Sequence, residues 1–312
     1  MITVSEVQAA QKRICCAAIR TPLLRLSSER SGELHLKLEN LQPTGSFKVR
    51  GAYNKIASLA PEERARGLIT YSSGNHGQAV AYAARAVGAR AIVVMPRTAA
   101  AVKIERARAL GAEIVLVGPG SSERQERAEQ LSQQRGYTVV PPFNDLQIIA
   151  GQGTIGLEIL QQLPSLDAVL VPIGGGGLIS GIAAAVKQSR ATVRVIGVEP
   201  ELANDAQQSL RTGSRVTLPA EQVSSTIADG LRTQRVGEIN FEHIRQFVDD
   251  IVTVSEEEIR EATRRLLLEG RILAEPSGAV APAAWLAGRV EGKCAAVVSG
   301  GNMDAAMLKK VL

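Results

Sequence analysis

Val169-Leu170-Val171-Pro172-Ile173-Gly174-Gly175-Gly176-Gly177-Leu178-Ile179-Ser180-Gly181 carries an apolar run through four glycines into a helix-like segment. A short continuous apolar run bounded by glycine suits a strand buried on both faces, as in a parallel sheet. Glycines without side chains let the backbone wrap closely around a ligand, and a helix start behind them points N–H groups at an anion. The stretch reads as a phosphate cup at the carboxyl end of a strand. A dinucleotide site is the competitor, and Glu199 at the next strand end stands where its ribose-binding acid would. The glycine spacing opposes it: Gly174-x-Gly176 and Gly175-x-Gly177 are followed by Ile179 and Ser180 where the third glycine belongs, and no Gly-Lys-Ser/Thr of a P-loop is present.

Outward from this point, β-branched runs alternate with Ala-rich helical stretches, which predicts an α/β protein with parallel sheets. Expected strands are Leu68–Tyr71, Ala91–Met95, Glu113–Val117, Tyr137–Val140, Ala168–Ile173, Val193–Val198 and Ala295–Val298. Expected helices are Gly77–Val87, Ala100–Leu110, Ser122–Gln134, Thr154–Gln162, Leu178–Ser189 and Glu256–Glu269. Gly88, Gly111, Gly136 and Gly270 stand at or just past four helix ends, where a left-handed cap favours glycine. The strands fall into two groups, and Pro141-Pro142-Phe143-Asn144-Asp145 is the expected crossing between them.

With 312 residues the chain has ample material for a core, and 45% of it is hydrophobic. No run approaches the roughly 20 apolar residues of a membrane span, and no signal peptide is visible, so no membrane association is expected. The net charge is +5, but the basic residues are interleaved with acids, as in Arg124-Gln125-Glu126-Arg127-Ala128-Glu129, and aromatics are only 3%. That pattern opposes nucleic-acid binding and suits small anionic ligands. Cys15, Cys16 and Cys294 form no paired framework, consistent with a reducing cytoplasm.

Four further stretches carry chemistry. Glu39-Asn40-Leu41-Gln42-Pro43-Thr44-Gly45-Ser46-Phe47-Lys48-Val49-Arg50-Gly51-Ala52 sets Lys48 at the end of a Pro/Gly-punctuated turn, before a helix. A lysine amine is a nucleophile when burial suppresses its charge, and its commonest enzymatic use is a Schiff base to a carbonyl. Tyr71-Ser72-Ser73-Gly74-Asn75-His76-Gly77-Gln78-Ala79 joins a strand to a helix and offers backbone, Ser and Asn donors to a carboxylate or phosphate. In Glu199-Pro200-Glu201-Leu202-Ala203-Asn204-Asp205, two carboxylates flank a turn and suit a hard cation with a main-chain carbonyl, although acids near a helix start are commonly dipole partners. Ala296-Val297-Val298-Ser299-Gly300-Gly301-Asn302 ends a strand on a hydroxyl at the edge where open α/β sheets bind ligands. Glu275, in Ala274-Glu275-Pro276-Ser277-Gly278, opens another helix that borders the same cleft.

Taken together in chain order, the motifs resemble those of fold-type II pyridoxal-phosphate (PLP) enzymes, the threonine/serine dehydratase and serine racemase family, from about Thr21 to Asp304. The resemblance implies two open, twisted, mainly parallel sheets flanked by helices, as in tryptophan synthase β. It implies a discontinuous large domain (1–52 and 146–312), a small domain (53–145) and a homodimer. Lys48 would form the Schiff base with Phe47 beside the cofactor, Asn75 would bond its phenolic oxygen, Gly174, Gly175, Gly176 and Gly177 its phosphate, and Ser299 its pyridine nitrogen. Ser72, Ser73, Asn75 and His76 would take the substrate carboxylate, and Arg124 would contact the substrate. Glu199, Ala203 through its carbonyl, and Asp205 match the family's divalent-cation site for Mg²⁺, Ca²⁺ or Mn²⁺. The implied reaction is deamination of L-threonine or L-serine to a 2-oxo acid and ammonia. Serine racemisation, with Ser73 on the face opposite Lys48, and dehydration of 3-hydroxyaspartate are the alternatives. The chain ends soon after Asn302, without the regulatory domain of biosynthetic threonine dehydratases, so isoleucine feedback is not expected.

Overall fold

The computed structural model describes residues 1–27, 30–72, 74–97, 99, 101–118 and 121–312, with the side chains of Val102, Ser121 and Ser122 excluded. Within these residues the strands are β1 (Leu23–Leu26), β2 (Glu33–Leu38), β3 (Leu68–Tyr71), β4 (Ala91–Pro96), β5 (Glu113–Val117), β6 (Thr138–Val139), β7 (Ala168–Pro172), β8 (Arg194–Pro200), β9 (Asp250–Val254) and β10 (Lys293–Val298). They form a six-stranded sheet in the order β1-β2-β10-β7-β8-β9 and a four-stranded sheet in the order β5-β4-β3-β6. The edge pair β1–β2 is antiparallel and every other pairing is parallel. Helices flank both sheets, so the α/β expectation of two mainly parallel sheets holds.

Alternation along each buried strand divides its side chains between two layers. From β7, Leu170 enters a core with Ile196, Val198 and the fully buried Trp285, while Val169 and Val171 enter another with Ile179, Ile182 and Val186. In the smaller sheet Val93 and Met95 pack on one side with Leu68, and Ile92 and Val94 on the other with Ile69 and Tyr137.

Three strands lie beyond the expected set. In β2, Glu33-Leu34-His35-Leu36-Lys37-Leu38 alternates polar and apolar residues, yet even Lys37 is buried. β1 and β9 are short and carry a charged residue each. Helix Leu146–Gln162 starts eight residues before the expected Thr154. Gly151 and Gly153 look like breakers in the sequence but act as packing surfaces: a Cβ on Gly151 would stand 2.6 Å from Gly51 Cα. Three of the four expected glycine caps are left-handed, at Gly88, Gly111 and Gly136; past the fourth helix that conformation falls on Arg271, with φ of 55°.

The close approach at Gly51 and Gly151 docks helix Lys48–Ser58 on helix Leu146–Gln162. A buried quartet of charges reinforces it. Arg50 reaches Glu39 through Nε (2.8 Å) and Glu158 through Nη1 (2.7 Å), and Lys37 Nζ lies 2.6 Å from Glu158. Two cations balance two anions where an unpaired charge would be strongly destabilising. The start of helix Lys48–Ser58 is thereby tied to β2, to the turn after it and to the 146–162 helix.

Candidate active site

Lys48 opens its helix directly after the turn at Gly45, which has φ of +70°. Ser46 bridges to Gly300 and Phe47 N–H donates to Ser299 O (3.1 Å), so the turn is stitched to the end of β10. The Lys48 ammonium donates to Pro142 O at 2.8 Å and lies 5.1 Å from the centre of the Phe47 ring. Burial alone pulls its pKa from 10.5 to about 8, since among the described residues no carboxylate faces it to restore the charge. A substantial neutral fraction exists near neutral pH, which a nucleophilic amine requires.

Lys48 lines a cavity of about 560 Å³ that Gly174–Gly177 also line. The turn leaves β7, passes through Gly176 with φ of 91°, and enters helix Gly177–Ser189. A Cβ on Gly175 would enter the Phe143 ring, and one on Gly176 would stand 2.8 Å from Asn240 Cβ and Val236 Cγ2. Glycine is therefore required there for space as well as for the left-handed backbone. The resulting cradle places a helix N-terminus and bare backbone against the cavity.

Ser299 follows β10 and is 4% exposed; its Oγ lies 3.3 Å from Ser277 O. That is longer than a normal O–H···O bond, so the hydroxyl can turn to a better acceptor in the cavity. Ser72, Asn75, His76 and Arg124 also line the cavity. Ser72 Oγ accepts from Gly74 N–H at 3.3 Å. The His76 ring points Nε2 at Val140 O (3.0 Å), and burial, then Lys48, pushes its pKa down to about 3. A ring so held is neutral and a poor base, so what His76 offers an anion is its backbone N–H in the first turn of helix Asn75–Ala86. Ser73 lies outside the described residues.

Glu199 and Asp205 are both buried and lie away from this cavity, at the end of β8 and the start of helix Asp205–Thr212. Glu199 accepts from the N–H groups of Ala206 (3.1 Å) and Gln207 (2.7 Å), and Asp205 from Val236 N–H (2.6 Å). Burial, then the neighbouring Asp205, raises the Glu199 pKa well above its usual range, and burial raises that of Asp205 to about 7. Ala203, in the turn between them, is 1% exposed. Among the described residues no cluster of three or more His, Cys, Asp or Glu side chains suits a metal, so two carboxylates and a carbonyl are what this turn can offer.

Two features of the cavity went unread in the sequence. Lys103 and Asp229 form an ion pair of 2.6 Å on its wall, and the Pro142 carbonyl holds the Lys48 amine. Glu275, expected to border the cleft, lines it and accepts from Asn75 at 2.6 Å. Nothing local marks the first two; for Glu275 the Glu-Pro helix start was the available signal.

Residues 17–300 match the family model described as pyridoxal-phosphate dependent enzyme. The chain is 46% identical to an L-threonine ammonia-lyase of Thermotoga maritima, over 100% of this chain and 78% of that protein. Its fold is similar to that of a threonine deaminase from T.th., with a TM-score of 0.92, 44% identity and coverage of 97% and 99% of the two chains. It is likewise similar to maize serine racemase, with a TM-score of 0.94, 36% identity and coverage of 99% and 96%.

Proposed function

This chain belongs to the pyridoxal-phosphate dependent enzyme family, and we propose that it deaminates β-hydroxy amino acids, L-threonine and L-serine foremost, to a 2-oxo acid and ammonia. The carrying observation is Lys48, its amine held near pKa 8 by burial, in one cavity with a glycine cradle that admits no side chain. The residues fit the cofactor: the cradle suits a phosphate, the amine a carbonyl, and Ser299 a ring nitrogen. When bound, pyridoxal phosphate supplies the carbonyl for a Schiff base and the electron sink for the carbon bearing the substrate amine.

The chain's own residues then divide the work. Lys48 Nζ would remove the proton from Cα, and its lowered pKa would suit it to give that proton to the departing β-hydroxyl, which leaves as water, near neutral pH. The backbone of Gly174–Gly177 and the helix behind it hold the phosphate. Ser299, a hydroxyl rather than a carboxylate, holds the ring nitrogen without adding a charge that would keep it protonated, which favours rapid loss of the β-hydroxyl. Ser72, Ser73, Asn75 and the His76 N–H take the substrate carboxylate, and Arg124, which lines the same cavity, contacts the substrate. Phe47 packs beside the cofactor.

Glu199, the Ala203 carbonyl and Asp205 are the ligands we assign to a divalent cation, Mg²⁺ being the first choice for an all-oxygen set. Two buried carboxylates that, among the described residues, are bonded only to backbone N–H groups support this. The domain division at about residues 52 and 146, a cytoplasmic location and a homodimer belong to the same proposal.

Racemisation is the second reading, favoured by the similarity to maize serine racemase. The experiment is product analysis with L-serine and L-threonine, with and without Mg²⁺. Formation of 2-oxo acid that Lys48→Ala abolishes is expected. D-Serine as the main product would move the assignment to a racemase, and turnover by Lys48→Ala would end it.

A further inference from the structure

Glu275 caps helix Pro276–Leu286 by position, yet its side chain makes no cap bond to that helix. It turns instead into the cavity wall, where Oε1 accepts from Asn75 Nδ2 at 2.6 Å and the residue is 4% exposed. Asn75 Oδ1 in turn accepts from Asn302 Nδ2 (2.8 Å), which also donates to Thr44 O (2.8 Å). Asn302 Oδ1 accepts from Arg106 Nη1 at 3.2 Å. The row has a donor-only guanidinium at one end and a carboxylate, an acceptor when ionised, at the other, so both amides between them have one satisfied orientation. Asn75 must turn Nδ2 towards Glu275, and since Glu275 takes one of its two hydrogens, the second remains for the cavity. Space is reserved for the arrangement: a Cβ on Gly300 would collide with Glu275 Oε1 and stand 3.1 Å from Asn75 Nδ2. The Glu275 main-chain N–H is anchored on Gly300 O at 3.1 Å.

We propose that Glu275 is a positioning residue that fixes the Asn75 amide with Nδ2 towards the phenolic oxygen of the bound cofactor, and so sets that oxygen's ionic form. It rests on the reading that Asn75 meets this oxygen. Burial, then Asp229, raises the Glu275 pKa to about 7, against the pull of Asn75, Lys103 and Arg106, so the acceptor-only carboxylate is the main form above pH 7. A fixed N–H donor favours the ionised oxygen. Without Glu275 only the Asn302 bond to Oδ1 still orients the amide, so Nδ2 loses its second anchor and its hold on the phenolic oxygen weakens, which favours the protonated form.

The test is the absorption spectrum of the cofactor-loaded protein, read as the ratio of the bands of the ionised and neutral phenol. Glu275→Ala is expected to lower that ratio by about fivefold, the worth of one hydrogen bond, and Glu275→Gln, whose amide oxygen still accepts, to restore most of it. In an Asn75→Ala background, Glu275→Ala is expected to change nothing further. Near-ultraviolet circular dichroism confirms that each variant is folded. An unchanged ratio in Glu275→Ala, an equal shift in the Asn75→Ala background, or a Glu275→Gln variant as perturbed as Glu275→Ala would each overturn the proposal. If Asn75→Ala alone leaves the ratio unchanged, the assignment of Asn75 to the phenolic oxygen falls first and the role of Glu275 with it.

Discussion

Replacing Lys48 with methionine should make the cofactor-free protein more stable at neutral pH. The amine is buried with no anionic partner among the described residues, and its pKa falls from 10.5 to about 8. At 1.36 kcal/mol per pH unit, holding that proton costs the folded state about 3 kcal/mol at any pH below 8. This is a ceiling, because Lys48 lines the cavity and part of it is solvated there. The lost bond to Pro142 O returns roughly 1 kcal/mol, so a net gain of about 2 kcal/mol is expected. The sign follows from the depressed pKa. Between pH 8 and 10.5 the unfolded chain binds more protons than the folded one, so wild-type stability rises with pH through that window and is lost as pH falls back through 8. The variant lacks this rise, so its advantage disappears as pH rises, and above pH 10.5 the wild type leads by the roughly 1 kcal/mol of the Pro142 bond. Trp285 is the single tryptophan and is fully buried, so its fluorescence reports unfolding without a label. A melting series from pH 6.5 to 10.5 should show the variant higher by about 4 °C at pH 7, with the gap closing as pH rises. A variant that melts lower at pH 7, or a gap independent of pH, would refute the claim that Lys48 is held against its charge.

Other consequences are equally direct. Gly175→Ala drives a Cβ into the Phe143 ring and should weaken retention of pyridoxal phosphate at least about tenfold, measured by equilibrium dialysis, with the fold intact by circular dichroism. Arg50→Met leaves Glu39 and half of Glu158 without their cation, and should destabilise the protein by about 3–5 kcal/mol in urea titrations; a change under 1 kcal/mol would show the quartet to be dispensable. Mg²⁺ at about 100 times its dissociation constant should add about 2.7 kcal/mol of stability at pH 8, and Asp205→Asn should remove that response. Because the folded pKa of Asp205 is raised from 3.8 to about 7, the metal-free protein loses stability as pH rises through that interval, so the Mg²⁺ gain should shrink below pH 7.

The chain's local signals carried a good part of this far. Runs such as Leu68–Tyr71 and Glu113–Val117 coincide with their strands because β-branched residues between glycines have few other places to go. The Lys48 turn, the four glycines and the Ser299 turn lie together on one cavity, as their positions at strand and helix ends suggested. Glycine was the unreliable sign. At Gly174–Gly177 it marks a turn, whereas Gly151 and Gly153 lie inside a helix as close-packing surfaces, and composition alone does not tell these apart.

What the sequence determined by itself is the set of local pieces: strands and helices in alternation, a lysine poised after a turn, and backbone cradles at strand ends. Each follows from periodicity and from what glycine and proline allow, which act over a few residues. The tertiary structure decided who faces whom. It inserted β10 between β2 and β7, put the Pro142 carbonyl on Lys48, buried Lys37 and Arg50 with Glu39 and Glu158, and brought Glu275 to Asn75 across 200 residues of chain. A buried charge or amide has no partner preference that shows along the chain; burial forces it to find one, and only the packing of distant elements settles which one is within reach.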